Sequence, residues 1–179
     1  MVSARFHPSP SDPAASREAD ARLNLLLTYG GWQQDPWVER LPRLLEPMGI
    51  RSLRAGSARE AETAIRSEPV HIAVVDLGVP LYCRDEPETS GGASGAAAPE
   101  AGPRLLDLLA RLETPPPTVV VKRERAVRDE QREIAAALKH GAFAVVDRPH
   151  SQRELELMLE VLRRCLRRFY SGRWPGAVL

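Results

Sequence analysis

The residue in this chain best placed to do chemistry is Asp76. It closes the run VHIAVVD, residues 70–76, and Gly78 and Pro80 follow at once. Six nearly all-apolar, valine-rich residues read as a strand buried on both faces of a parallel sheet. Gly78 and Pro80 mark the loop after it. A carboxylate at the carboxyl end of a central strand lies where open α/β sheets place their binding and reaction sites. Two further strand-like runs end in basic residues. TVVV (118–121) runs into Lys122, and FAVV (143–146) runs into Asp147, Arg148 and Pro149. The raw material is one acid and two cations at three strand ends.

The elements that must position these groups follow from periodicity. Residues 23–27 (LNLLL) read as a strand closed by Thr28, Tyr29, Gly30 and Gly31. Asp35-Pro36 has the form of an N-cap followed by proline at the first helical position. Trp37, Val38, Leu41, Leu44, Leu45 and Met48 then recur at helical spacing up to Gly49. Pro42 is expected to kink that helix or split off its first turn. Residues 50–53 form a short strand, and Ser57-Ala-Arg-Glu60 is a capping-box pattern opening a helix to about residue 66. Residues 103–112, 127–140 and 151–170 read as helices, with Gly141 as the stop of the second. Thr114-Pro-Pro-Pro117 is a stiff connector. Strand and helix alternate five times, which argues for an α/β fold with a parallel sheet covered by helices on both faces.

Composition bounds the remainder. The chain has 179 residues and a formal net charge of +1. That length fits one domain, residues 22–170, with a disordered tail at 1–21 and a short tail at 171–179. Residues 81–101 differ in kind, being poor in large apolar side chains and rich in Gly, Ala, Ser and Glu. They read as a flexible insert in the domain: a lid, a partner-binding segment or a tolerated surface insertion. The small net charge provides no bulk field toward nucleic acid or membrane. Cys83 and Cys165 offer neither metal spacing nor a disulfide framework, which points to a reducing, cytoplasmic setting. Cys83, in the insert, reads as an unreactive exposed thiol. No apolar run reaches the length of a membrane span, and the N-terminus lacks a secretory signal pattern. His7, His71, His140 and His150 show no ligand spacing. His71 opens the central strand, at the end away from Asp76. Gly30-Gly31 is too short for a phosphate-binding loop. No cofactor, no metal and no catalytic residue is expected, and the chain is not read as an enzyme.

Taken together, four segments resemble the receiver domain of two-component response regulators. SAREAETAIRSEPVHIAVVDLGVP looks like that family's second helix and third strand, with Asp76 at the phosphoacceptor position and Pro80 at the following proline. GPRLLDLLARL looks like its third helix, and PTVVVK like its fourth strand. LKHGAFAVVDRPHSQRELELMLEVL looks like its Gly-Ala, fifth strand, Lys-Pro step and final helix. The resemblance spans about residues 23–169 and is interrupted by the insert. It implies a flavodoxin-like, three-layer α/β/α fold with five strands in the order 2-1-3-4-5. It also suggests a cis peptide at Arg148-Pro149.

The departures decide the chemistry. The family's Mg²⁺-holding acidic pair falls here on Thr28 and Tyr29. Its switch Thr or Ser falls on Lys122, its lysine before proline on Arg148, and its switch aromatic on Val145. Phosphoryl transfer to a carboxylate normally needs a divalent cation and an ammonium to offset the repulsion between two anions. Mg²⁺ favours hard oxygen ligands, including a carboxylate or two. Asp76 alone is a poor site, although Asp35 or an acid of the insert is an available substitute. The expectation is that Lys122, with Arg148, pairs directly with Asp76 and neutralises it.

The last helix carries an apolar stripe of Leu155, Met158, Leu159, Leu162, Cys165, Leu166 and Phe169. Arg163, Arg164, Arg167 and Arg168 lie opposite. Its distal part, with Phe169, Tyr170 and Trp174, is read as outrunning the sheet toward a partner or a second copy. Trp32 and Trp37 are read as a cover for the site or a surface patch. The resemblance places the interaction face on the fourth helix, the fifth strand with Val145, and the last helix. The first reading is a stand-alone, degenerate receiver-like domain: a phosphorylation-independent signalling module with a protein partner and a possible homodimer. The alternatives are a genuine phosphoacceptor at Asp76 with an unusual metal site, and nucleic-acid binding through the arginine-rich helix. No helix-turn-helix follows the receiver-like part, which weighs against nucleic acid.

Overall fold

A computed structural model describes residues 22–30, 36–82, 100–122 and 127–172. Expectations for the two tails, the body of the insert, Cys83, Trp32, Trp174 and Asp35 lie outside those residues. Five strands form one parallel sheet in the order β2-β1-β3-β4-β5. They are β1 (Leu23–Thr28), β2 (Ile50–Ala55), β3 (Ile72–Asp76), β4 (Thr118–Val121) and β5 (Ala144–Val146). The helices are α1 (Pro36–Leu45), α2 (Ala58–Ser67), α3 (Gly102–Ala110), α4 (Val127–Lys139) and α5 (Gln152–Tyr170). This is the flavodoxin-like architecture, with the sheet between two helical layers.

Strand side chains alternate between two cores. Leu25, Leu27, Val74, Val119 and Val121 join α1 and α5 in one. Leu26, Ala73, Val75 and Val120 join α2, α3 and Ala137 of α4 in the other. β1, β3 and β4 are buried along their whole length, which is why they read as mostly apolar runs.

α1 runs through Pro42 as one helix, so of the expected kink or split the split does not occur. It gives way instead at a 3₁₀ turn, Glu46–Met48. Pro47 explains this, because it lacks an N–H and disfavours helical backbone at Glu46. α2 is capped by the Ser57 hydroxyl, which accepts from the Glu60 N–H at 3.2 Å. α5 opens with a full capping box between Ser151 and Glu154. Gly141 ends α4 at φ +83°, a backbone conformation that favours glycine.

Candidate functional site at the carboxyl end of the central strand

Asp76 is 0 % exposed at the end of β3. Thr28, where β1 ends beside it, uses its hydroxyl twice. Thr28 Oγ1 accepts from the Asp76 N–H at 3.0 Å and donates to the Val74 carbonyl at 3.5 Å. Among the described residues, three donors hold the carboxylate itself. Oδ1 accepts from the Gly78 N–H at 2.8 Å. Oδ2 accepts from Arg148 Nη2 at 2.6 Å and, more weakly, from the Gly30 N–H at 3.4 Å. The Arg148 side chain is 21 % exposed, so this is a largely desolvated, charge-assisted pair.

Lys122 does not neutralise Asp76 as its place in the sequence suggested. Its ammonium pairs with Glu130 in the first turn of α4 and with Asp147 at 2.8 Å. The cause is strand alternation. Asp76 lies beside Val121 in the register and shares parity with Val74, on the side of α1 and α5. Lys122, one residue past Val121, turns to the opposite side, toward α4. Asp147 follows Val146 in the same way, so it meets Lys122. Arg148, one further on, returns to the side of Asp76.

The loops behind the site are pinned. Gly102 opens α3 directly against the backbone of Leu77, where an added Cβ would lie 2.5 Å from Leu77 Cα. The first N–H groups of α2, those of Ala58 and Arg59, donate to the Pro80 and Leu81 carbonyls at 2.8 and 3.3 Å. Pro80 also pairs with Glu100 in an antiparallel bridge, so the chain leaves for the insert and returns from it at one point.

Other expectations change as well. Described peptide bonds are all trans, that of Arg148-Pro149 included. Trp37 is a core residue between α1 and the sheet, so it neither covers the site nor forms a surface patch. α5 does not outrun the sheet at Tyr170. The Tyr170 hydroxyl donates to the His71 carbonyl, and its ring packs on the core. Phe169 is 43 % exposed and meets Phe143 edge-on at 5.9 Å. Val145 is half-buried against the second core. Arg163, Arg164, Arg167 and Arg168 are exposed, and the first three lie 3.6–3.9 Å from Glu160, which offsets part of their charge. Cys165 is fully buried, and burial pushes its thiol up to about 12, so it is unreactive.

A receiver site with a divalent cation needs several hard oxygens turned toward one point. Among the described residues one carboxylate is available here, and both its oxygens accept hydrogen bonds. Thr28 spends its hydroxyl on backbone, and a guanidinium stands against Oδ2 where a second positive charge would have to come. These residues do not fit a bound Mg²⁺.

Solved structures resembling this chain are receiver domains. A two-component response regulator from Clostridium difficile superposes with a TM-score of 0.58 at 21 % identity, over 84 % of this chain and 100 % of that one. The non-phosphorylated HemR receiver domain of Leptospira biflexa gives 0.56 at 19 %, over 81 % and 94 %. A response regulator from Burkholderia pseudomallei gives 0.54 at 20 %, over 78 % of this chain and 66 % of that one. That structure holds a phosphorylated aspartic acid, a calcium ion and citrate. The fold is the receiver fold. No family model matches the sequence, and no curated protein does. Likeness to receiver domains therefore rests on architecture.

Signals for several site groups were missing from the residue-type reading. Gly30 and Gly78 act through backbone N–H groups. Asp147 becomes a neighbour of Lys122 through the β4–β5 register, and Glu130 through the position of α4 after β4.

Proposed function

We propose that this chain is a receiver-type signalling module, not an enzyme, that engages a protein partner without phosphorylation of Asp76. The observation that carries the reading is the carboxylate itself: fully buried, with Arg148 at 2.6 Å and Gly78 at 2.8 Å. A phosphodonor must reach a fully buried carboxylate whose two oxygens each already accept a hydrogen bond. A fixed guanidinium does the neutralising that a metal and an ammonium do in phosphoryl transfer. The partner face is read as α4, β5 and α5, where Leu138 and Phe169 are exposed large apolar side chains. The same face is available to a second copy.

Asp76 at the end of β3, together with the phosphorylated aspartic acid in the Burkholderia pseudomallei structure, favours the rival reading of a working acceptor. One experiment separates them. The chain is incubated with acetyl phosphate and Mg²⁺ and its intact mass is read. The proposal expects an unchanged mass. A phosphoryl adduct that disappears in Asp76→Asn would establish the acceptor instead.

A further inference from the structure

We propose that the outer edge of β2 is a docking site for an extended acidic segment of a partner protein, which adds there as a sixth strand. The strand order leaves β2 and β5 at the two edges, and β2 is six residues long against three for β5. Edge strands present unpaired backbone donors and acceptors, and strand addition is a recurring mode of peptide recognition. The direction of the β2 backbone groups follows from its ladder. The Leu23 N–H donates to the Gly49 carbonyl and the Tyr29 N–H to the Ala55 carbonyl, both at 3.2 Å. Residues 49, 51, 53 and 55 therefore face β1, and the N–H and C=O groups of Ile50, Ser52 and Arg54 face outward. No other described element bonds to those groups.

Ile50, Ser52 and Arg54 also line a cleft of about 390 Å³ between β2 and α1, with Pro42, Arg43 and Glu46 opposite. Ser52 Oγ is buried there with no hydrogen-bond partner among the described residues. The lining holds four arginines against two glutamates, and with Glu68, which pairs with Arg51 from outside the cleft, the local excess is one positive charge. Arg54 is already paired with Glu39 at 2.7 Å, and Arg51 with Glu68 at 2.6 Å. Arg22 and Arg43 have no ion pair among the described residues.

This charge selects the occupant. A second copy docking edge to edge would set the same arginines against each other, and like charges across strands are destabilising. An acidic strand meets them with opposite charge on alternate residues, while its backbone satisfies the outward groups of Ile50, Ser52 and Arg54.

The test uses the full chain and a phage-displayed library of random dodecapeptides. Enriched peptides are synthesised with a fluorophore and measured by anisotropy. Two variants probe the edge. Arg43→Glu reverses a cleft charge. Ser52→Pro removes an outward N–H and leaves the β1 ladder intact, since proline is tolerated on an edge strand. Thermal melts establish that both variants fold. The expected result is enrichment of peptides with acidic residues at every second position. Their affinity should fall at least ~10-fold in each folded variant, and the Ser52 and Arg54 amides should exchange more slowly in the complex. The proposal is overturned if nothing is enriched, or if the enriched peptides bind both variants unchanged. It is equally overturned if the free chain self-associates through this edge and Ser52→Pro makes it monomeric.

Discussion

Asp76 and Arg148 form a largely desolvated ion pair in which each charge offsets the other. A buried carboxylate stripped of its cation is left with two N–H donors and a desolvated charge. Breaking a fully buried pair costs about 3–5 kcal/mol. Arg148 keeps part of its side chain in water, so Arg148→Ala should destabilise by about 2–4 kcal/mol in urea unfolding. In an Asp76→Asn background the same change should do much less, because the charge it compensated is gone. Independent, additive effects would mean the pair is not coupled. A second residue-scale prediction concerns His71. Its Nδ1 accepts from the Asn24 N–H at 2.9 Å, so the neutral ring is the form the fold uses, and burial lowers its pKa below the usual 6.5. The unfolded chain thus takes up a proton near 6.5 that the folded chain refuses. The His71 contribution is complete above that value and is lost as pH falls below it toward the lowered folded value. The melting temperature should therefore drop more between about pH 7.5 and pH 5.5 for the wild type than for His71→Gln. Equal drops would remove His71 from the account. At this scale the sequence was partly legible. Asp76 was plain from its position at the end of a run in which five of six residues are apolar. Which cation reached it was not, because that depends on whether Val121 or Lys122 stands beside Asp76, and one residue of register turns the side chain to the other layer.

Among the elements, those that flank the site were the most readable. Buried strands announce themselves as apolar runs, and both capped helices carried a Ser three residues before a Glu. The contact that pins α3 to the site was not readable from pattern. Gly102 looks like any residue before a proline, yet no Cβ fits between it and the Leu77 backbone. Gly102→Ala should push α3 away from the residue after Asp76 and destabilise by at least ~2 kcal/mol, seen as a lower urea midpoint. An unchanged midpoint would show that α3 can shift freely. The fate of α5 was misjudged for a related reason. Its stripe runs to Phe169, but the anchor of its last turn is Tyr170, whose hydroxyl meets the His71 carbonyl at the opposite end of β3 from Asp76. Residues 71 and 170 are joined only by the closed fold.

For the whole molecule, the layout places two charged regions apart on the sheet. The carboxyl edge of the sheet holds an acid clamped by a guanidinium, while Lys122 ties the end of β4 to α4 and to Asp147. The far flank, at β2, carries open backbone and surplus arginine. The receiver fold explains the placement of both but the use of neither, since function belongs to sites and not to folds. The central claim is that a fixed side-chain cation stands in place of a metal. Isothermal titration of millimolar Mg²⁺ into the intact chain addresses it most directly. The account predicts no saturable heat, in the wild type and in Asp76→Asn alike. Saturable one-to-one binding in the wild type that vanishes in Asp76→Asn would contradict it.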